Sequence, residues 1–262
     1  MLFRSGGGDN AASAVGIGAV RPQQGFVSLG TSGVIFLASD RFRPNPQSAM
    51  HAFCHALPAR WHQMSVMLSA ASALRWVREL LGLPSEAALL DRVALLSHEQ
   101  RTRAPLFLPY LSGERTPHND PNAQGVLFGL GHGHDAAAIG YAVLEGVSFG
   151  LADGWASLQA EAGSVAALSL VGGGARSERW AQLLASALGV TLHIPVGAEA
   201  GAALGAARLA WLADGGDERD VCRSATVARE FAPDASEAAL LAPRYERFRA
   251  LYPALRSQFA AQ

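Results

Sequence analysis

An α/β fold is what this 262-residue chain predicts, and three observations carry that expectation. The stretch Leu168 to Leu188, LSLVGGGARSERWAQLLASAL, reads as a short apolar strand, a glycine turn and a helix whose Trp180, Leu183, Leu184 and Leu188 share one face. Phe26 to Leu37, FVSLGTSGVIFL, reads as two β runs joined by Gly30, Thr31, Ser32 and Gly33, with glycine at both corners of a tight hairpin. Half of the residues are hydrophobic and only 16% are charged, which supplies a well-buried core and argues against disorder.

Several function classes are disfavoured at once. The formal net charge is −1 and no Lys/Arg run stands out, so neither nucleic acid nor an anionic membrane is expected as a partner. Cys54 and Cys222 lie far apart and form no metal-type pair, the pattern of a reduced cytoplasmic protein. No apolar run is expected to reach membrane-spanning length, and the N-terminus lacks the apolar core of a signal peptide. A soluble, cytoplasmic protein is therefore expected.

Taken in order, the chain opens abruptly on Gly6, Gly7, Gly8, Asp9 and Asn10, followed by AASAVGIGAV, a small-residue helix. A glycine loop usually follows a strand, so this start is expected to be a cut from something larger. Asp9 sits where a helix cap would. Capping and proton chemistry are compatible roles for it, since a helix N-terminus favours an acidic side chain. After the hairpin, Asp40 to Arg60 reads as a loop interrupted by Pro44, Pro46 and Pro58. It holds His51, Cys54 and His55, but no second ligand cluster accompanies them and no metal is expected there.

Met64 to Leu81 is expected to be one amphipathic helix closed by Gly82 and Pro84. Trp76 on it is either core or an aromatic face for a base. Ser85 caps a further helix to about His98. Pro105 to Leu130, PLFLPYLSGERTPHNDPNAQGVLFGL, has strand-like runs entering and leaving a polar loop with Glu114, Arg115, His118, Asn119 and Asp120, too charged to bury and fixed by its prolines. There Glu114 and Arg115 suit an ion pair, and His118 and Asp120 suit turn caps. His132 and His134 are again weak metal candidates. Asp135 caps a long helix to about Ala162. Val190 to Pro195 reads as a strand, and Ala198 to Asp214 as an Ala/Gly-rich helix able to approach another backbone closely. From Gly215 onward the chain is more charged, carries no evident site, and ends in a helix around Ser236 to Phe259.

The glycine turn itself has a chemical meaning. Gly172, Gly173 and Gly174 remove every Cβ, so a flat ligand can lie against the backbone, and the following helix offers free amides to a nucleotide or other anion. A plain glycine-rich turn explains the same residues, and GGGARS lacks the GxGxxG spacing of a dinucleotide fingerprint. Thr31 and Ser32 at the hairpin tip likewise suit either a phosphate cradle or an exposed turn.

Six stretches in register, GGGDNAASAVG, VSLGTSGVIF, FCHALPARWHQMSVMLSAASALRW, PYLSGERTPHNDPNAQGVLFGL, VGGGARSERWAQLLA and GAALGAARLAWL, resemble the C-terminal half of sugar kinases of the FGGY family. SGERTPHNDP is most similar to the xylulose kinases within it. The resemblance implies an actin-like ATPase fold of ribonuclease-H type, a mixed sheet with flanking helices, here as one nucleotide-binding domain over residues 1–262. It implies ATP and Mg²⁺ as cofactors, a small-molecule sugar as substrate, and an absent N-terminal domain holding the first phosphate loop and most of the sugar pocket. Under it Asp9 corresponds to the catalytic base and Asn10 to a sugar contact. Gly30, Thr31 and Ser32 match the second phosphate loop. Gly173, Gly174 and Ser177 match part of the adenosine site, with Ala71, Arg75 and Trp76 on its adenine side, and no residue here matches a metal ligand. The implied activity is phosphorylation of D-xylulose to D-xylulose 5-phosphate, the isolated chain being inactive. Ribulose, glycerol or gluconate kinases remain alternatives, as does a non-catalytic actin-like nucleotide-binding module, and a homodimer stays open.

Overall fold

The computed structural model describes residues 7–162, 165–197 and 201–259. Its centre is a seven-stranded mixed sheet in the order β3-β4-β2-β1-β7-β8-β9. The strands are β1 (Gly25–Leu29), β2 (Gly33–Ser39), β3 (His51–Cys54), β4 (Trp61–Met67), β7 (Ala167–Val171), β8 (Thr191–Pro195) and β9 (Val227–Phe231). β1, β7 and β8 are parallel neighbours, and every other pairing is antiparallel. A separate two-stranded ladder joins β5 (Leu106–Leu108) to β6 (Val126–Phe128), as the two apolar runs around the polar loop predict.

Alternation along the strands decides what covers each face. Val27, Leu29, Ile35, Leu37, Leu168, Leu170, Leu192 and Ile194 share the main core with α2 (Ala71–Leu80), α3 (Glu86–Ala94), α5 (Ala136–Ala162), α6 (Glu178–Leu188) and the C-terminal helix Ala235–Leu255. On the other face Phe26, Val34, Phe36, Met64 and Val171 pack with Ala14, Ile17 and Ala19, from α1 (Asp9–Ile17) and the turn after it. α7 (Gly201–Ala213) seats directly on α1: a Cβ on Gly205 would overlap the carbonyl oxygen of Ala12, and one on Gly16 that of Gly201. The Ala/Gly-rich helix thus makes the close approach its composition predicts, and Arg208 ties it further by donating to Val15 O at 2.9 Å. Ala198 to Ala200, at the start of that expected helix, lie outside the described residues.

Several expectations are corrected. Met64 to Leu81 is not one helix, because Trp61–Met67 is strand β4 and α2 begins only at Ala71. β4 is bonded on both sides, to β2 and β3, and a doubly paired strand overrides a helical spacing of methionines. The Asp40 to Arg60 loop contains β3 and a short 3-10 turn at Pro46–Ser48. Ser85 caps only Glu86–Ala94, and a capping box at Ser97 starts α4 (His98–Arg103). The charged VAREF segment is the edge strand β9. α5 does have the length and mean hydropathy, 1.2, of a membrane span over Ala136–Gln159, contrary to the expectation of none. That window is 89% buried inside the fold, so its apolarity is used by the core.

Candidate functional site

At the C-terminal ends of the parallel strands β1 and β7 the two glycine loops meet. Gly172 has φ +93°, and a Cβ there would lie 2.8 Å from the carbonyl atoms of Leu29 and 3.1 Å from Gly30 N. Gly174 packs on the Leu29 side chain, where a Cβ would come within 2.5 Å. Both glycines are therefore required by packing. Gly173 is not: a Cβ there would have nothing within 4 Å. A glycine that the protein's own atoms do not demand, exposed between two that they do, suits a ligand laid against the backbone. Gly172 and Gly173 border an open cleft of about 510 Å³ shared with Ala175, Arg176, Ile194, Pro195 and Arg229.

The hairpin tip is held from behind by the first turn of α2. Ala70 N donates to Thr31 O at 3.0 Å and Ala71 N to Gly30 O at 2.8 Å. Ser72 adds its own amide at 3.3 Å and its hydroxyl at 2.8 Å, both to Thr31 O. With the Gly30 and Thr31 carbonyls held by α2, Thr31 and Ser32 stay exposed. Ala71 thus belongs to the site as a backbone anchor. Arg75 lies exposed farther along α2, and half-buried Trp76 stacks on Phe107 with ring centroids 5.7 Å apart, committing one of its faces to the core.

The strand of β7 does not run straight into a helix. A 3-10 turn, Gly173–Arg176, intervenes before α6, and the Ser177 hydroxyl accepts from Trp180 N at 3.2 Å as that helix's cap. The free amides expected to face a ligand are therefore offset from the glycines, and one of them is already satisfied.

Asp9 is not a cap. Gly8 holds the cap position with no side-chain bond, and Asp9 is the first residue of the helix, exposed, with Asn10 Nδ2 3.5 Å from its Oδ1. The direction of α1 matters more. Ile17 and Gly18 at its C-terminal end border Gly25 and Ala167, where β1 and β7 begin. Nine residues of helix span about 13 Å. At its other end a Cβ on Gly7 would come 3.1 Å from Ala56 Cβ and 3.6 Å from Leu209 Cδ1, so α1 begins beside the turn between β3 and β4.

In the polar loop between β5 and β6, Glu114, Thr116 and Asp120 are buried where exposure is expected, while Arg115 and Asn119 stay exposed. Glu114 is 3% exposed; its Oε1 accepts from Arg115 N at 2.7 Å and Leu68 N at 3.1 Å, and burial still pushes its carboxyl up to about 8. It does not pair with the Arg115 guanidinium, which reaches His51 Nε2 at 3.0 Å. His118 stacks on Tyr252 at 3.6 Å and bonds Tyr110, and burial lowers it to about 4. Asp120 accepts from Tyr252 OH at 2.8 Å and Asn122 N at 2.9 Å, the latter the turn-capping role expected of it. Among the described residues no group of three or more His, Cys, Asp or Glu is arranged to hold a metal.

Sequence reasoning missed the α2 anchor and the Glu114 contact. The strand-to-helix break at Leu68–Ala70 carries neither glycine nor proline, so no local signal marked it.

The model of the FGGY family of carbohydrate kinases, C-terminal domain, matches residues 25–213. A xylulose kinase of Escherichia coli (strain K12) is 49% identical over 253 residues, which is 96% of this chain and 52% of that protein. The crystal structure of a "xyloylose kinase" from Brucella ovis superposes with a TM-score of 0.90 at 46% identity, covering 97% of this chain and 52% of that one. A gluconate kinase from Lactobacillus acidophilus gives 0.87 at 26% identity, with the same coverage. The chain spans about half the length of the relatives it matches. These neighbours have the actin-like ATPase fold, as expected.

Proposed function

The chain belongs to the FGGY family of carbohydrate kinases, and on that premise we propose that it is the C-terminal, nucleotide-binding half of a cytoplasmic kinase that transfers phosphate from ATP to D-xylulose, giving D-xylulose 5-phosphate. The observation that carries this reading is the meeting of the hairpin tip and the Gly172–Gly174 turn at the C-terminal ends of β1 and β7. In it the tip residues Gly30, Thr31 and Ser32 contact phosphate through backbone and hydroxyl groups. Gly173 and Gly174 form the wall for adenosine, with Ser177, Ala71, Arg75 and Trp76 around it. Asn10 contacts the sugar.

Phosphoryl transfer asks little covalent chemistry of a protein; it asks for positioning and charge stabilisation. The sugar hydroxyl becomes a nucleophile as its proton leaves, and in this reading Asp9, the residue that matches the family's catalytic base, accepts it. ATP fits the residues present, because Gly173 leaves backbone open that packing does not fill. Mg²⁺ fits as an ion carried on the nucleotide's phosphates with at most one or two carboxylates, since no larger acidic set exists among the described residues. When bound it neutralises charge on the transferred phosphoryl group.

An N-terminal half equivalent to the remainder of the relatives supplies the facing wall of the cleft, so the 262-residue chain by itself is expected to release no ADP with xylulose. The test is a coupled ADP-release assay on the complete enzyme with xylulose, ribulose, glycerol and gluconate. Highest kcat/KM with xylulose supports the reading. A clear preference for another of the four would keep the kinase and replace its substrate, and no ADP release with any would overturn it.

A further inference from the structure

The SGERTPHNDP loop is the distinctive motif that the phosphoryl-transfer reading leaves without a task. Its Glu114 is buried, with Oε1 on the amides of Leu68 and Arg115 and Oε2 enclosed without a partner. Leu68 is the first residue after β4, and Ala70, only two residues on, already donates to Thr31 O at the hairpin tip. The link between them, Ser69, is 2% exposed and Ala70 is fully buried, so this short connection has no room to absorb a shift. The amides of Ala71 and Ser72 continue the same grip on Gly30 and Thr31.

We infer that Glu114 is a positioning residue for the tip Gly30–Ser32: its carboxyl oxygen fixes where α2 begins, and the first-turn amides of α2 fix the direction in which the tip presents its groups. Glu114 itself touches no reacting atom. The consequence for catalysis rests on the proposed role of the tip in holding phosphate, whereas the mechanical coupling does not. The same loop is docked separately by Thr116, whose amide donates to Val66 O at 3.0 Å and whose Oγ1 accepts from Val66 N at 3.1 Å. That second anchor lies on β4 before its end and supplies the control.

The experiment is amide hydrogen exchange, read by NMR, on the chain and three variants. Glu114→Asp is one methylene shorter and withdraws the acceptor from Leu68 N. Glu114→Gln keeps an oxygen at the same length. Thr116→Val removes the other anchor. With the bond to Leu68 N lost, the Ala70, Ala71 and Ser72 amides should exchange about tenfold faster in Glu114→Asp, relative to the central strand amides of Val27 and Ile35. Glu114→Gln and Thr116→Val should leave that ratio unchanged. An unchanged ratio in Glu114→Asp would overturn the inference, and so would an equal rise in Thr116→Val, which would mean general loosening. Calorimetry of ADP binding to the complete enzyme separates the two readings. A rise in the exchange ratio with ADP affinity intact would uphold the coupling and sink the assignment of the tip to phosphate.

Discussion

Adding one methyl at Gly173 and, separately, at Gly174 should split stability from ligand binding. At Gly174 the new Cβ would meet Leu29 Cγ at 2.5 Å, Cδ2 at 2.6 Å and the Leu29 carbonyl oxygen at 3.1 Å. Overpacking of that kind costs about 1–3 kcal/mol, and the leucine can yield only partly because it is fully buried. At Gly173 the Cβ meets nothing within 4 Å and the backbone is not left-handed, so Gly173→Ala should be neutral or gain about 0.4–1 kcal/mol through the unfolded chain. Ligand binding should respond in the opposite sense. A methyl group on the open side of Gly173 holds a nucleotide off the backbone. Losing one hydrogen bond to a charged group, about 1.5–3 kcal/mol, lowers affinity roughly 10- to 150-fold. The assays are thermal melting and ADP calorimetry on the complete enzyme. If Gly173→Ala binds ADP like the parent while melting clearly earlier, the glycine serves the fold, and the reasoning that assigns it to a ligand is wrong.

Two further outcomes follow from the packing. His62 is 4% exposed, stacks on Phe36 at 4.4 Å, has an unpartnered Nδ1, and is lowered by burial to about 4. The unfolded chain takes up this proton first, near 6.5, so stability falls as pH drops from about 6.5 toward 4. Replacement by phenylalanine, which keeps the stack, should remove about 2 kcal/mol of the loss between pH 7 and 5, measured by urea denaturation at both pH values; an unchanged pH dependence would contradict it. Gly205→Ala should destabilise by at least about 1–3 kcal/mol, because the methyl meets backbone of Ala12. Gly201→Ala, whose Cβ would meet only the Ser13 side chain, at 3.7 and 3.8 Å, should be near neutral, and equal effects of the two would refute the helix contact.

Legibility in the sequence followed the range of the interactions. The hairpin at Phe26–Leu37, the Asp135 cap and the strand before Gly172 rest on local chemistry, and all three stand where the residues put them. β4 and β9 were hidden because sheet partners distant in sequence decide them: Trp61–Met67 is strand only because β2 and β3 flank it. Of the site, the glycines were legible as glycines. Their different reasons were not, since only Leu29 in space tells Gly174 from Gly173. Asp9 was legible as the residue opening a helix, but one position of register separates a cap from a free carboxylate, and sequence does not resolve a single position at a helix end.

That free carboxylate carries the central claim, and Asp9→Asn in the complete enzyme tests it most directly. Asparagine keeps the size and first-turn position but cannot take a proton from the sugar hydroxyl. Gly8, not Asp9, holds the cap position, and no capping bond depends on the Asp9 carboxylate. Melting temperature and ADP affinity should therefore stay near those of the parent while kcat with xylulose falls by about 10²- to 10⁴-fold, the range for removal of a general base. An Asp9→Asn enzyme that kept most of its kcat would contradict the account and move the proton acceptor elsewhere.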